Sequence, residues 1–334
     1  MIILGIESTA HTFGIALLDE GPRVLADVRK LYIPKSGGIL PREVAPFFSR
    51  AAGAALREAL QRAGVSMREV EAIAVALGPG MGPQLRVGAS VARALSAHYG
   101  KPLVPVNHAV AHIEVARWLT RLKDPIALYV AGGNTAVISY AEGRYRVFGE
   151  TLDLPLGNAL DTFAREVGIA PPYVKEGKHA LDLCAEGGEF IEGLPYVVKG
   201  QDSSFSGLLT AALKAVKGGA DLKDVCFTLR EIAYSSVVEV LERGLALTGK
   251  REVVLTGGVA ASALLNEKLS LMASLHGAQF RPIPREYAGD NAVMIALTGI
   301  AAFKWGQRVE PRRATIRQRW RVDQVPVPWY YEFP

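Results

Sequence analysis

The most informative chemical pattern in the sequence is a pair of histidines within the segment His108-Ala109-Val110-Ala111-His112. On a helix, residues four positions apart lie on one face, so both imidazoles suit two ligands of one metal ion. A surface or helix-capping role is the alternative interpretation. Zinc proteases of the HExxH type need a glutamate where this chain has Ala109, so the pattern argues against proteolysis.

Acidic and basic residues elsewhere could complete such a site. Asp290 precedes the last apolar stretch and is a candidate further ligand, although an aspartate there is equally an ordinary helix N-cap worth about 1 kcal/mol. Asp161, on a predicted helix, could bind a hydroxyl or face solvent. Glu7 and His11 follow the first predicted strand and are candidate acid/base or positioning groups. A turn-capping role for Glu7 and a structural role for His11 are the alternatives.

Three glycine-rich turns follow predicted strands and could hold a phosphate. Backbone approaches an anion closely where no Cβ intervenes, and successive N–H groups form an anion nest. None of the turns matches the P-loop or the Rossmann fingerprint, and each taken singly is an ordinary turn. Because all three end strands, they could together line an interdomain cleft. They are Gly78 to Pro83, Gly132-Gly133-Asn134 and Gly257-Gly258.

The elements that must position these residues follow one pattern twice. Apolar runs and helical periodicity predict strands at 2–6, 13–18, 23–31, 70–77 and 103–106, with helices at 43–63, 85–99 and 108–122. The second set has strands at 126–131, 135–141, 144–150, 251–256 and 279–281, with helices at 157–168, 178–191, 206–217, 224–248, 260–274 and 291–305. Two βββαβα units predict a duplicated α/β domain with a central cleft. A single doubly wound sheet is the alternative.

Composition excludes disorder and coiled coil as descriptions of the whole chain. Of 334 residues, 49% are hydrophobic and 21% charged, which is typical of a globular protein with ample core. The pattern divides the chain into a first subdomain at 1–123, a second at 124–306 with a helical insertion near 157–248, and a basic, aromatic tail at 307–334.

The basic charge is concentrated near the C-terminus. The net charge is +5, and seven basic residues against Glu310 give +6 within 304–321, so the remaining residues sum to −1. Such asymmetry indicates an anionic partner. The basic residues are Lys304, Arg308, Arg312, Arg313, Arg317, Arg319 and Arg321.

Cysteine usage and the N-terminus predict a cytoplasmic protein. The two cysteines, Cys184 and Cys226, are typical of a reducing compartment, and we expect buried free thiols rather than a disulfide scaffold. The apolar run from Met1 stops at Glu7, well short of the roughly 18 residues that a membrane span needs. No basic region precedes it, so we expect no membrane anchor.

Residues 93–113, ending in Asn107-His108-Ala109-Val110-Ala111-His112-Ile113, resemble the signature of the universal tRNA threonylcarbamoyladenosine transferase family. That family includes bacterial TsaD and the catalytic subunit of the archaeal and eukaryal KEOPS complex. The turn at 8–12 is similar to the archaeal and eukaryal branch. Further motifs in the same order are Gly5-Ile6-Glu7 to Gly14, Leu77-Gly78-Pro79-Gly80, Tyr129 to Thr135, Phe148-Gly149-Glu150-Thr151, Ser204-Phe205-Ser206-Gly207-Leu208, Gly257-Gly258-Val259-Ala260 and Asp290-Asn291.

The resemblance implies an actin-like, sugar-kinase-like fold of two RNase H-like halves. It also implies transfer of threonylcarbamoyl from threonylcarbamoyl-AMP to N6 of the adenosine next to the anticodon in ANN-decoding tRNAs. Implied partners are tRNA and, as separate chains, an atypical kinase and small accessory subunits. The implied ligands of an iron or zinc ion are His108, His112, Tyr129 and Asp290. The implied contacts to ATP or the adenylate are Tyr129, Val130, Ala131, Gly132, Gly133, Asp161, Lys178, Asp182 and Ser262.

Several positions depart from the family pattern, mostly on the nucleotide side. Ala131 stands where a serine is usual, Asp182 where many members have glutamate, and Ser262 where an asparagine is expected. Gly177-Lys178-His179 replaces a common Gly-Gly-Pro. None of these departures falls on the implied metal ligands, so the pattern favours retained metal chemistry with altered nucleotide contacts.

Two other functions compete with this interpretation. Actin-like clefts often bind ATP, so a small-molecule kinase or ATPase is one alternative, but its catalytic aspartate is missing from the first turn, which offers Glu7. A nucleic-acid-binding subunit without activity is the other, suggested by the basic tail. Within that tail Arg317, Arg319 and Arg321 are candidate tRNA contacts, with Trp305, Trp320, Trp329, Tyr330 and Tyr331 near them for stacking on bases. The alternative there is a solvated tail packed over the first half.

Overall fold

The first half of the chain folds into one mixed sheet of five strands. In this computed structural model, which describes residues 1–34, 38–171, 173–175 and 178–332, the strands are β1 (Ile2–Glu7), β2 (Thr12–Asp19), β3 (Val24–Leu31), β4 (Ala72–Gly78) and β5 (Leu103–Asn107). Their order is β3-β2-β1-β4-β5, and β1 pairs antiparallel with β2 and parallel with β4. The unbroken apolar runs of β1 and β4 suit central strands that are covered on both faces.

Helices α1 (Pro41–Ala63), α2 (Gly82–Tyr99) and α3 (His108–Thr120) belong to this half. Pro41 occupies the first turn of α1, where a missing N–H costs nothing. The helix ends at Gly64, whose φ of +66° is the left-handed conformation that glycine adopts without strain. Local sequence signals therefore account for both of its ends.

The second half repeats the pattern with an insertion. In chain order its elements are β6 (Ile126–Val130), β7 (Thr135–Ala141), β8 (Arg144–Glu150), α4 (Leu156–Glu166), β9 (Val174–Lys175), β10 (Lys178–His179), α5 (Ala180–Cys184), β11 (Val198–Lys199), β12 (Asp202–Ser203), α6 (Ser206–Lys217), α7 (Leu222–Thr248), β13 (Glu252–Thr256), α8 (Ala263–Leu275), β14 (Gln279–Phe280) and α9 (Ala292–Lys304). A second mixed sheet has the order β14-β13-β6-β7-β8. The predicted α/β class with two successive sheets is confirmed.

Helix α9 connects the halves. It follows the second sheet in the chain but packs on the first, against β1, β2 and β4. At Gly5 of β1 an added Cβ would lie 2.6 Å from the carbonyl oxygen of Ala292, so the helix backbone lies directly on the strand. The predicted boundaries place residues 124–306 in the second subdomain, whereas this packing puts α9 on the first sheet.

One predicted helix of the insertion is wrong. Residues 178–191 were expected to be helical, but α5 ends at Cys184. The chain turns at Gly187, which has a φ of +75°, and Gly188 then lies so close to α7 that an added Cβ would be 2.4 Å from the carbonyl oxygen of Lys223. The glycine pair, which terminates helices, outweighs the surrounding periodicity.

The prediction of free buried thiols is also wrong. Cys184 at the end of α5 and Cys226 on α7 form a disulfide, with their Cα atoms 5.9 Å apart. The two residues are 42 positions apart, and pairing depends on spatial geometry that spacing alone does not reveal. The bond fastens α5 to α7.

The C-terminal segment, residues 307–332, is not a free tail, because it lies across both sheets. The Arg317 N–H donates to the carbonyl of Leu77 at 2.7 Å, at the end of β4, and the Val327 N–H donates to Gly143, between β7 and β8, at 2.9 Å. The predicted stacking of its aromatic residues on RNA bases is therefore wrong for three of them, which are core residues: Trp320, Trp329 and Tyr330. Trp305 and Tyr331 are exposed.

A buried charged cluster anchors this segment to α3. The Arg117 guanidinium lies 3.1 Å from each Glu114 carboxylate oxygen and donates to the backbone carbonyl of Tyr330 at 2.8 Å. The Tyr145 hydroxyl also donates to Glu114. The cluster thus joins α3, β8 and the C-terminus. Both terminal nitrogens of the Arg117 guanidinium are hydrogen-bonded, which offsets part of the cost of burying the ion pair.

Helix α7, with 27 residues, is the longest in the described ranges, and it carries Asp224, Arg230 and Glu231 among its apolar positions. Across the part of the chain that the structure describes, no helix combines the length and the apolar character needed to cross a bilayer.

Candidate metal centre and nucleotide surface

Helix α3 presents the two histidines from a capped N-terminus. The Asn107 side chain accepts hydrogen bonds from the N–H groups of Ala109 and Val110, at 3.0 and 3.1 Å, so Asn107 is the cap. Helical spacing then places His108 and His112 on one face, with ring centroids 4.6 Å apart. Both side chains are buried, so neither the surface role nor the capping role describes this pair.

Asp290 is not the N-cap of a helix either. Helix α9 is capped by Asn291, whose side chain accepts a hydrogen bond from the Met294 N–H at 2.9 Å. The Oδ1 atom of Asp290 lies 3.4 Å from Nε2 of His108 and 3.3 Å from Nε2 of His112. One carboxylate oxygen therefore faces two imidazole nitrogens.

The three side chains offer one donor atom each, and these atoms lie within 4.8 Å of one another. Two imidazole nitrogens with a carboxylate oxygen form a donor set that suits iron or zinc. The structure thus brings together three of the four expected ligands around one point, between the first and second sheets.

Glu7 binds the ring nitrogen of His108 that faces away from Asp290. Its Oε2 lies 2.9 Å from Nδ1 of His108, and its Oε1 accepts a hydrogen bond from the Thr9 N–H at 2.6 Å. With Nδ1 of His108 bound to Glu7, Nε2 is the nitrogen that faces Asp290 and would be available to a metal ion. Carboxylate support of the outer imidazole nitrogen is the usual way in which proteins orient a histidine ligand.

Buried carboxylates dominate the electrostatics of this cluster. Burial alone would lower the pKa of His108, but the negative charges of Glu7 and Asp290 outweigh it and raise that pKa to about 10. For His112 burial dominates, and its pKa is lowered. Burial opposes ionisation of Asp290, yet the charge and hydrogen bond of His108 hold its pKa well below the usual range. The buried carboxylates thus favour positive charge between them.

Tyr129, the fourth expected ligand, adjoins the cluster from β6. Its ring centroid is 5.2 Å from that of His112. Burial, followed by the negative charges of Asp290 and Glu7, raises the pKa of its hydroxyl well above the usual value. The hydroxyl lies beside the Asn134 side chain but makes no hydrogen bond of ordinary geometry to any described residue. Buried polar atoms are normally hydrogen-bonded, so the unpartnered Tyr129 hydroxyl beside the donor cluster is consistent with a bound ion or ligand that it would contact.

His11 lies at the edge of the same site. It is partly exposed, and its charge contributes to lowering the pKa of Asp290. Thr256, which sequence reasoning did not single out, ties the second sheet to the cluster, since its hydroxyl donates to the His112 carbonyl at 2.9 Å. Only the position of Thr256 at the end of β13 could have indicated this role.

On the second-sheet side, the turn at 131–134 packs against neighbouring backbone at its Ala131 end. The N–H of Ala131 donates to the carbonyl of Asn134 at 2.8 Å. A Cβ added at Gly257 would lie 2.3 Å from the carbonyl oxygen of Val130. A Cβ added at Gly157 would lie 2.7 Å from the carbonyl oxygen of Ala131. Gly132 and Gly133, in contrast, are exposed and have open space around them, as an anion nest requires.

Asp182 and Ser262 lie against α7 on this side. The Tyr234 hydroxyl on α7 is 3.5 Å from Oδ1 of Asp182, and Ser262 adjoins the same hydroxyl. Burial raises the pKa of Asp182, although the positive charges of His179 and Arg230 oppose the shift. Ser262 also caps α8 through the Leu265 N–H. No sequence pattern indicated a site role for Tyr234.

Lys178 and Asp161 differ in their surroundings. The Lys178 ammonium pairs with Glu186 at 2.6 Å, and both side chains are largely exposed. Asp161 on α4 accepts a hydrogen bond from Nε2 of His179 at 2.9 Å. His179 belongs to a departure from the family pattern, and the sequence predicts no site role for it. Gly177, part of the same departure, lies outside the described residues.

The three arginines expected to contact tRNA are exposed at the surface. The Arg317 guanidinium lies over the Trp320 ring, 4.8 Å from its centroid. Arg321 lies 3.6 Å from Glu150 and 3.3 Å from Asp323. The backbone of this segment is fixed, so Arg317, Arg319 and Arg321 extend from an ordered surface and not from a mobile arm.

Comparison with known proteins identifies the family. A model of the tRNA N6-adenosine threonylcarbamoyltransferase family matches residues 23–297. A relative of that name from Aeropyrum pernix is 67% identical over 335 aligned positions, covering 100% of this chain and 96% of the relative. Another from Staphylothermus marinus is 55% identical, covering 98% of this chain and 99% of the relative.

Among solved structures, HypF from T. kodakarensis matches with a TM-score of 0.61 at 17% identity, covering 92% of this chain and 48% of HypF. That likeness concerns the fold, which is actin-like as the resemblance implied. Because the family model spans most of the chain and the relatives align over nearly their whole length, the chain belongs to the tRNA N6-adenosine threonylcarbamoyltransferase family.

Proposed function

We propose that this chain transfers a threonylcarbamoyl group from threonylcarbamoyl-AMP to N6 of the adenosine next to the anticodon of ANN-decoding tRNAs. The observation that supports this most strongly is the convergence of His108, His112 and Asp290 near the glycine-rich turn at 131–134, to which the family resemblance assigns the adenylate. The family supplies the reaction and tRNA as its substrate. The convergence supports the proposal that transfer takes place beside this cluster.

We assign a divalent metal, iron or zinc, to His108, His112, Asp290 and Tyr129. The donor chemistry fits, because the two Nε2 atoms and Oδ1 face one point and the Tyr129 hydroxyl lacks a hydrogen-bond partner among the described residues. When bound, such a metal supplies Lewis-acid polarisation of a carbonyl or phosphate oxygen. Glu7 keeps His108 in the tautomer and orientation that binding needs.

The nucleotide is assigned to the surface beyond Tyr129. The exposed N–H groups of Gly132 and Gly133 would bind its phosphate, and Asp161, Asp182 and Ser262 would contact its ribose and base. Val130, Ala131 and Lys178 complete the set carried over from the family. The exposed position of Lys178 and its pairing with Glu186 favour a role at the rim.

Transfer forms a bond between N6 of adenosine and the carbamoyl carbon, and breaks the bond from that carbon to the phosphate oxygen of AMP. N6 must lose a proton, and AMP leaves with its phosphate intact. Between the two acid/base candidates, the geometry favours His11 as the proton acceptor. His11 is partly exposed at the site, whereas the Glu7 carboxylate is fully buried and already binds Thr9 and His108.

We further propose that the protein acts in the cytoplasm with an atypical kinase and small accessory subunits as separate chains, and that Arg317, Arg319 and Arg321 contact tRNA phosphates. The competing kinase or ATPase function would need a carboxylate free to act at the nucleotide's γ-phosphate. Glu7 does not meet that need, since its two oxygens are occupied by Thr9 and His108.

The test is reconstitution with unmodified tRNA, ATP, threonine, bicarbonate, the adenylate-forming enzyme and the partner subunits. We expect modified adenosine only when this chain is present. The variant carrying both His108→Ala and His112→Ala should fold, lose bound metal and lose modification. His98→Ala, on the far end of α2, is the matched control and should retain both.

Equal modification with and without the chain would exclude the transferase function. Full metal stoichiometry in the double variant would exclude the assigned ligands while leaving the reaction intact. ATP hydrolysis that transfers phosphate to a small molecule, in the absence of modification, would instead favour the kinase.

A further inference from the structure

The two ring nitrogens of His179 make different contacts at the start of α5. Nδ1 accepts a hydrogen bond from the Leu181 N–H at 3.1 Å, which makes His179 the N-cap of the helix. Nε2 lies 2.9 Å from Oδ1 of Asp161. An accepting Nδ1 carries no proton, so the ring proton is on Nε2 and is donated to the carboxylate. The cap thereby fixes the tautomer that binds Asp161.

The Asp161 carboxylate has room for a second partner. It is 40% exposed, and among the described residues the hydrogen bond from His179 is the one that it accepts. An ionised carboxylate offers two oxygens with two lone pairs each. With Oδ1 bound to His179, Oδ2 is available to accept a hydrogen bond from a ligand hydroxyl.

The location of Asp161 connects this pair to the nucleotide surface. Asp161 lies four residues after Gly157, on the same face of α4, and Gly157 packs on the Ala131 carbonyl of the turn. On the other side, His179 is three residues before Asp182, which faces Tyr234. The pair therefore lies between two groups of residues assigned to the adenylate.

We propose that His179 is a positioning residue: it holds Asp161 so that the free carboxylate oxygen accepts a hydrogen bond from a ribose hydroxyl of an adenosine nucleotide. This inference rests on the proposed nucleotide site. It adds a residue outside the set carried over from the family, and it gives that residue a role in holding Asp161.

Capping alone does not account for a histidine at this position. Serine, threonine, aspartate and asparagine are the preferred N-caps, and each satisfies a helix terminus with a shorter side chain. The additional length of His179 carries Nε2 to Asp161. The two contacts can be separated by substitution, because an asparagine reproduces the first and a glutamine reproduces the second.

The experiment compares His179→Asn with His179→Gln in the full-length chain. In the first variant the side-chain oxygen still caps α5 but the amide is too short to reach Asp161. In the second the amide nitrogen reaches Asp161 approximately where Nε2 does, and the cap is lost. Calorimetric titration uses ATP, 2′-deoxyATP and 3′-deoxyATP as ligands, with thermal unfolding to monitor folding.

We expect His179→Asn to weaken ATP binding by about three- to tenfold, the value of one net hydrogen bond, while His179→Gln stays within about twofold of the wild type. The ratio of the affinity for ATP to the affinity for one of the two deoxy analogues should decrease in His179→Asn and stay unchanged in His179→Gln. In a chain that already carries Asp161→Ala, His179→Asn should add no further loss, because the two residues act through one contact.

Unchanged ATP affinity in His179→Asn would overturn the inference, as would a loss confined to His179→Gln, which would leave His179 a helix cap only. Additive losses with Asp161→Ala would overturn it too. If the wild type bound no ATP, or Asp161→Ala bound it normally, the nucleotide assignment of Asp161 itself would fail, and the two failures are thereby distinguished.

Discussion

The Glu7 carboxylate contacts Nδ1 of His108 at 2.9 Å while Nε2 of the same ring faces Asp290 at 3.4 Å. Glu7 ends β1 and His108 begins α3. The first sheet therefore binds Nδ1 of His108 and leaves Nε2 facing the candidate metal centre. A residue considered as an acid or base from the sequence thus has the contacts of a group that orients a ligand.

This relationship predicts a graded effect of Glu7 substitutions on metal binding. Glu7→Ala should weaken the affinity for zinc by about 10- to 100-fold, because Nδ1 of His108 loses its carboxylate acceptor and keeps, among the described residues, only the Thr9 hydroxyl, at 3.2 Å. Glu7→Gln keeps an acceptor oxygen without the charge and should fall between Glu7→Ala and the wild type. Competition titration against a chelator measures the three affinities. Equal affinities would show that Glu7 does not orient His108.

The cluster around Arg117 predicts a large, asymmetric effect on stability. Arg117→Met leaves the buried Glu114 carboxylate without its charged partner and should lower the free energy of unfolding by about 3–5 kcal/mol. The double variant Glu114→Leu, Arg117→Met should lose less than the single variant, since no unpaired charge stays buried. Denaturant titration measures both. A double variant less stable than the single one would contradict this explanation.

Arg312→Ala is the matched control for the loss of an arginine. Its side chain is exposed in the same C-terminal segment, and substitution there should change the free energy of unfolding by no more than about 0.5 kcal/mol. An effect as large as that of Arg117→Met would show that the segment is sensitive to any loss of positive charge.

The sequence predicted features that depend on neighbouring residues. The strands of both sheets follow from apolar runs, and the histidine pair follows from helical spacing, because both patterns are local. Choosing between capping and metal binding for Asp290 required the structure, which shows the next residue, Asn291, accepting the Met294 N–H. Two adjacent polar residues compete for the same role, and only the backbone conformation distinguishes them.

Features that depend on distant parts of the chain were missed. The pairing of Cys184 with Cys226 requires α5 to pack on α7, and the burial of Trp329 and Tyr330 requires the C-terminal segment to reach the second sheet. Two cysteines in a long chain are typical of free thiols, and a run of arginines with aromatic residues is typical of an exposed tail. Long-range packing overrode both expectations, because it paired the thiols and buried the aromatic rings.

The disulfide predicts a measurable loss of stability on reduction. Replacing Cys184 and Cys226 by serine removes the closure of a 42-residue loop, and in the chain-entropy description this lowers the free energy of unfolding by about 4 kcal/mol. Reductant should lower the melting temperature of the wild type towards that of the double serine variant and leave the variant unchanged. A reductant effect of equal size on both would show that the bond is not its cause.

The exposed arginines of the C-terminal segment predict a salt-dependent defect in tRNA binding. Replacing Arg317, Arg319 and Arg321 with glutamate should weaken binding and lower the slope of log affinity against log salt by about two to three, approximately one for each lost phosphate contact. Filter binding of unmodified tRNA at several salt concentrations measures the slope.

The control for this charge reversal places the same change on the first subdomain, with Arg50, Arg57 and Arg93 replaced by glutamate. These residues lie on the exposed faces of α1 and α2. If the C-terminal arginines contact phosphates, the control retains the wild-type slope, because screening at physiological salt confines an exposed charge to about 8 Å. Equal losses in both variants would assign the effect to net charge alone. An unchanged slope in the C-terminal variant would place the tRNA elsewhere on the chain.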